Sequence, residues 1–180
     1  MKKLKISALA LLSVLALGAC DDDGGTGPGG LRQGQFEGDI SGSLDIGVAG
    51  DADSGYGFRP GEVDLIVLTD RSRNIEIALF DSEGEFIEGR RTIEDENDFE
   101  SRIIGYVVDL DTGESFGSVS GTLDLDNVTD SGRIQGSARF TAESDDIDGD
   151  FINVDVVFNT DYAGSIDFNV SPSFSRAQKN

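Results

Sequence analysis

The chain is 180 residues long, with 35 Asp+Glu against 14 Lys+Arg, no histidine and a single cysteine. Without histidine there is no Ser-His-Asp catalysis, no His-ligated zinc and no ordinary general base near neutrality, and one cysteine cannot form an intramolecular disulfide. A formal charge of −21 speaks against nucleic acid as a partner, because binding a phosphate backbone takes clustered Lys and Arg.

Met1-Lys2-Lys3-Leu4-Lys5 is a positively charged start, and residues 6–17 form an apolar or small run of 12 residues. The run is too short to span a hydrocarbon core about 30 Å thick as a permanent helix. The Leu17-Gly18-Ala19-Cys20 sequence that closes it resembles the lipobox of bacterial lipoproteins. The resemblance implies a signal peptide over residues 1–19 and a diacylglycerol thioether on Cys20. It also implies a protein of the cell envelope, held to a membrane by lipid and facing the periplasm or the exterior. Removing residues 1–19 leaves 11 Lys+Arg against 35 Asp+Glu, a formal charge of −24. Residues 20–34 then read as a lipidated cysteine and a Gly/Asp-rich tether, whose ten residues from Asp21 to Gly30 reach roughly 17 Å.

From residue 35 the pattern is period two. Phe36, Gly38, Ile40, Gly42, Leu44, Ile46 and Val48 share one face, opposite Glu37, Asp39, Ser41, Ser43 and Asp45. A helix would scatter these apolar residues round its axis, so the run is read as one long half-buried strand. Residues 63–69, 74–81 and 100–109 are apolar on both faces in part, as covered or central strands are. A weaker strand spans 86–93, and clean alternation returns at 117–125, 134–140, 152–158 and 166–170. Turn chemistry such as Asp130-Ser131-Gly132 separates the strands. The expected fold is all-β: about nine antiparallel strands in a meander over residues 35–171, forming a barrel or a strongly curled sandwich. A C-terminal tail follows at 172–180. Gly42, Gly121 and Gly136 fall on the apolar face inside strands, where glycine marks a bend, a bulge or a close backbone approach.

Ile40-Ser-Gly-Ser-Leu-Asp-Ile46 recurs nearly unchanged at Val119-Ser-Gly-Thr-Leu-Asp-Leu125, through either an internal duplication or repeated use of one strand recipe. The run from Ser120 to Leu125, followed by Ile134-Gln-Gly-Ser-Ala-Arg-Phe-Thr-Ala142, resembles the C-terminal hairpin of uncharacterised bacterial envelope lipoproteins. Those pair an SGTLxI strand with an IxGxFxFTA strand behind a lipobox and a Gly/Asp-rich tether. The resemblance implies a β-sandwich or a lipocalin-like barrel and supplies no activity.

Three acidic stretches space oxygens at every second residue: Asp51/Asp53, Asp109/Asp111 and Asp146/Asp148/Asp150. Such spacing suits a hard cation, yet the sixth-position glycine of an EF-hand is replaced by Tyr56, Glu114 and Phe151. Solvated acidic turns are the stronger expectation, and weak divalent-cation binding is the weaker one. Arg71/Arg73 and Arg90/Arg91 are expected to bridge neighbouring carboxylates rather than grip a ligand. The functional expectation is a lipid-anchored, non-catalytic envelope protein with a binding or structural role and no cofactor. The alternatives are a lipocalin-like carrier of a small apolar ligand and, more remotely, a carboxylate-dependent glycosidase.

Overall fold

The structure is a computed structural model that describes residues 30–57, 62–82, 84–98, 102–144 and 149–166. The signal region, Cys20, Asp146, Asp148 and the tail at 172–180 lie outside the described residues. Period-two alternation becomes strands β1 (Gln35–Gly42), β2 (Ile46–Tyr56), β3 (Leu65–Asp70), β4 (Ile75–Asp81) and β5 (Gly89–Ile93). They are followed by β6 (Ile103–Asp109), β7 (Ser115–Val128), β8 (Ile134–Ser144), β9 (Phe151–Asn159) and β10 (Asp161–Ser165). Eight of them close a ring in the order β1, β2, β3, β4, β6, β7, β8, β9 and back to β1. Every neighbour in the ring is antiparallel, so the meander is an up-and-down barrel.

β5 and β10 are additions to that ring. β6 pairs with residues 115–117 of the long strand β7, and β5 takes over the same edge at 121–125. β10 continues along β2 where β1 stops, and its pairing is parallel.

The run 36–48 is two strands rather than one. Gly42, at φ +115°, lets the chain leave β1, and residues 43–45 reverse it so that Ile40 faces Ile46. A reversal that pairs 40 with 46 keeps even-numbered residues on the inner face of both strands, so the alternation passes through the turn unbroken. The same turn removes the case for an internal duplication. Residues 40–46 form a hairpin end, whereas 119–125 lie inside the single strand β7. At the C-terminus, strand structure comes earlier than the pattern suggests, in β10, and residues 167–170 lie outside the described residues.

The interior is filled by side chains. Phe36, Phe86, Phe116 and Phe158 are the largest fully buried ones, and Ile40, Leu68, Ile77, Leu79, Ile103 and Leu123 surround them. Eight strands enclose a space just wide enough for this. Phe86 comes from the connection between β4 and β5, where its N–H donates to the Val63 carbonyl at 3.1 Å and fixes the plug at one end of the barrel. The inward glycines mark close approach. A Cβ at Gly121 would lie 2.4 Å from the Arg139 carbonyl oxygen, and one at Gly136 would lie 2.3 Å from that of Asp124. Bulges at 118/120 and 125/127 accompany them in β7. The strands read as apolar on both faces are β3, β4 and β6. Their outer residues Leu65, Val67, Ala78, Phe80, Ile104 and Tyr106 form a second buried cluster.

Candidate functional site

The interior is occupied by its own side chains, and two concavities among the described residues lie on the outer wall. Even-numbered residues of β1 point inward, so Glu37 and Asp39 point out. The registers set Asp39 between Gly47 of β2 and Asp155 of β9, and Glu37 between Ala49 and Val157. Small residues on β2 leave a trough, and the turn after β3 walls it with Ser72 and Arg73. The result is a concavity of about 770 Å³. A second one, of about 490 Å³, continues from Asp39 and Asp155 over Ser41, Asn153, Thr141, Arg139 and Ser120. Its lining mixes hydroxyl, carboxamide and charged side chains with Gly121, Phe140 and Val154. Thr141 Oγ1 donates to Asn153 Oδ1 at 2.9 Å, and Arg139 Nε sits 2.9 Å from both oxygens of Asp155.

Asp70 builds the wall of this groove. Its Oδ1 accepts from the Ser72 N–H at 2.9 Å, the Ser72 hydroxyl at 2.7 Å and the Arg73 N–H at 3.1 Å. Its Oδ2 accepts from the Ala49 N–H at 3.1 Å, tying the turn to β2 above the point where the β2–β3 ladder ends. Burial by itself pushes this carboxyl up. The hydrogen bonds from Ser72, Ala49 and Arg73 outweigh that and hold it below the usual carboxylate range.

The acidic stretches resolve differently from one another. Asp51 and Asp53 stand in strand β2, not in a loop, and Asp53 pairs with Asp161 of β10. Burial, then the charges of Asp51 and Asp161, push the Asp53 carboxyl up, against the pull of Arg71. Asp109 ends β6 and turns its Oδ1 back to the N–H groups of Asp111 and Thr112, at 2.8 and 3.2 Å, so the spacing serves a turn. Asp150 is described, whereas Asp146 and Asp148 are not. Among the described residues, no group of three or more His, Cys, Asp or Glu is arranged to hold a metal ion.

The arginine pairs divide between surface and interior. Arg71 reaches Asp51 at 3.1 Å and Arg90 reaches Asp124 at 2.7 Å, both as exposed bridges. Arg91 turns inward to Asp81, which sequence reasoning missed. The Asp81 side chain is fully buried at the end of β4, 3.6 Å from Arg91 of β5 and 3.3 Å from Arg102, which precedes β6. It fastens the inserted strand β5 to the ring. The signal available in the sequence was a charged residue following the apolar run from Ile77 to Phe80. No helix among the described residues is long and apolar enough to cross a membrane.

Compared with known proteins, the chain matches no family model, no curated protein and no solved structure.

Proposed function

We propose that this chain is a lipid-anchored bacterial envelope protein with a non-catalytic binding or structural role, tethered through Cys20. The lipobox-like Leu17-Gly18-Ala19-Cys20 supports the anchor, and the filled barrel interior supports recognition outside the barrel. Phe36, Phe86, Phe116 and Phe158 occupy the space that a carrier of apolar ligands would keep open, which leaves the outer wall for recognition. The groove over β1, β2 and β9 has a mixed lining, and its carboxylates Glu37, Asp39 and Asp155 favour a polar or cationic group. Asp39 and Asp155 are cross-strand neighbours on an open wall, with Arg139 bonded to Asp155.

Two measurements test the two parts of the proposal. For the anchor, Cys20→Ser is expected to move the protein from the membrane to the soluble fraction and to remove its acyl mass. A wild-type protein without fatty acid overturns the anchor. For the groove, native mass spectrometry of protein extracted from membranes is expected to find a polar ligand that is lost in Asp39→Arg and Asn153→Trp. An apolar ligand retained by both variants overturns the reading in favour of a carrier.

A further inference from the structure

We propose, building on the groove reading above, that the groove floor at Gly47 is a subsite for a small zwitterion. Its ammonium group would sit on Asp39 and Glu37 of β1, and its carboxylate on Arg73 of the turn after β3. β2 lies between β1 and β3, and the Ala49–Asp70 hydrogen bond holds that turn against the far edge of β2. Gly47 therefore has Asp39, its register partner, on one side and the turn on the other. Asp39 leans over the gap, its Oδ1 lying 3.6 Å from where a Cβ at Gly47 would stand. The next atom is the Gly38 carbonyl oxygen at 3.9 Å, so the floor is open to a ligand.

The charges around this gap are unspent. Elsewhere on the wall Arg71 is taken by Asp51 and Arg139 by Asp155, and the Asp70 carboxylate is occupied by its own donors. Among the described residues, the side chains of Glu37, Asp39 and Arg73 make no hydrogen bond or ion pair, although all three line one concavity. In a chain with 35 acidic against 14 basic side chains, an arginine left unpaired beside two carboxylates is out of keeping with its surroundings. The cause is spacing. β1 and β3 stand two strand separations apart, about 10 Å, which keeps the opposite charges from meeting across the trough and lets one short ligand touch both. Arg73 is fixed through its backbone, whose N–H donates to Asp70 Oδ1 at 3.1 Å, and its guanidinium is left to the groove. A simple cation would use only the β1 side, and a simple anion would face two carboxylates. A molecule with both charges satisfies both walls.

The probe is γ-aminobutyrate, with butylamine and butyrate as single-charge controls, titrated into the full chain and followed by the amide resonances of β1, β2 and the turn at 71–74. γ-Aminobutyrate is expected to shift these resonances saturably and to bind about fivefold more tightly than butylamine, the weight of one exposed ion pair. Butyrate is expected not to bind. Arg73→Ala, a change at an exposed residue, should bring the two amines to equal affinity, and Glu37→Gln with Asp39→Asn should abolish binding of both. Gly47→Leu fills the floor and should also abolish it with the urea midpoint retained, because the added Cβ makes only ordinary contacts. Equal affinity of the two amines for the unaltered protein overturns the zwitterion and leaves a groove for cations. Binding of neither amine, or binding that survives Gly47→Leu, overturns the subsite, while the ligand lost in Asp39→Arg by native mass spectrometry still decides the groove itself.

Discussion

Removing the Asp70 carboxylate tests how the groove is held together. Asp70→Ala deletes the acceptor for four donors: the N–H groups of Ala49, Ser72 and Arg73, and the Ser72 hydroxyl. A hydrogen bond to a charged group contributes about 1.5–3 kcal/mol. Ser72 and Arg73 are exposed and regain water, so their share is smaller, and a total loss of about 3 kcal/mol is expected. Asp70→Asn separates the contributions. An amide oxygen in place of Oδ1 keeps the turn, while the NH2 group meets the Ala49 N–H donor to donor. About half the loss, roughly 1.5 kcal/mol, is then expected. Urea unfolding of each variant, followed by circular dichroism, measures both values. The pH dependence follows from the lowered carboxyl. Its contribution is fully present above the unfolded value near 3.9 and is lost as pH falls through the lower folded value. The deficit of Asp70→Ala at pH 7 should therefore shrink below about pH 4. Equal losses for both variants, or a deficit that stays constant to pH 2, would refute the reasoning.

Gly121→Ala places a methyl 2.4 Å from the Arg139 carbonyl oxygen and 2.4 Å from Phe140 Cβ, and is expected to cost about 3 kcal/mol. Gly113→Ala meets open space and bears only the strain of φ +77°, about 1–2 kcal/mol; urea midpoints in the opposite order would contradict this. Asp81→Ala strands the buried Arg91 guanidinium, whose Nη1 has no hydrogen-bond partner among the described residues, and should lose about 3–5 kcal/mol. Adding Arg91→Met should recover more than half of that loss in a thermal melt, and no recovery would rule out a stranded charge as the cause. Burial pushes the Glu76 carboxyl up, so its ionised form disfavours folding above the folded value. Glu76→Gln is expected to be the more stable protein at pH 7, with the advantage gone below the unfolded value of about 4.3. Urea midpoints that stay apart at pH 3 would contradict it.

Much of the barrel is legible in the sequence because period two is a local property. Phe158, Val156, Val154 and Ile152 declare their face without reference to any partner. Gly121 and Gly136 announce close approach, since a glycine on a buried face needs a reason. The turn at 43–45 was hidden by parity, and β10 by its lack of apolar alternation. The groove left no signal at all. Glu37, Asp39 and Asp155 look like any outward acids until β9 is laid beside β1, 116 residues apart at the Asp39–Asp155 pair.

By itself the sequence determined the class of the fold: an all-β domain in a strongly acidic chain with no histidine chemistry, behind a short apolar run that stops before Cys20. Those features depend on residue type and on spacing within a few positions. The tertiary structure alone decided that β9 returns to β1 and closes eight strands. It also decided that Phe86 plugs the interior, that Asp81 is buried between two arginines, and that Asp39 and Asp155 line a concavity on the outer wall. Each of these is a contact between residues distant in the chain, and local alternation records which way a side chain points without recording what it will meet.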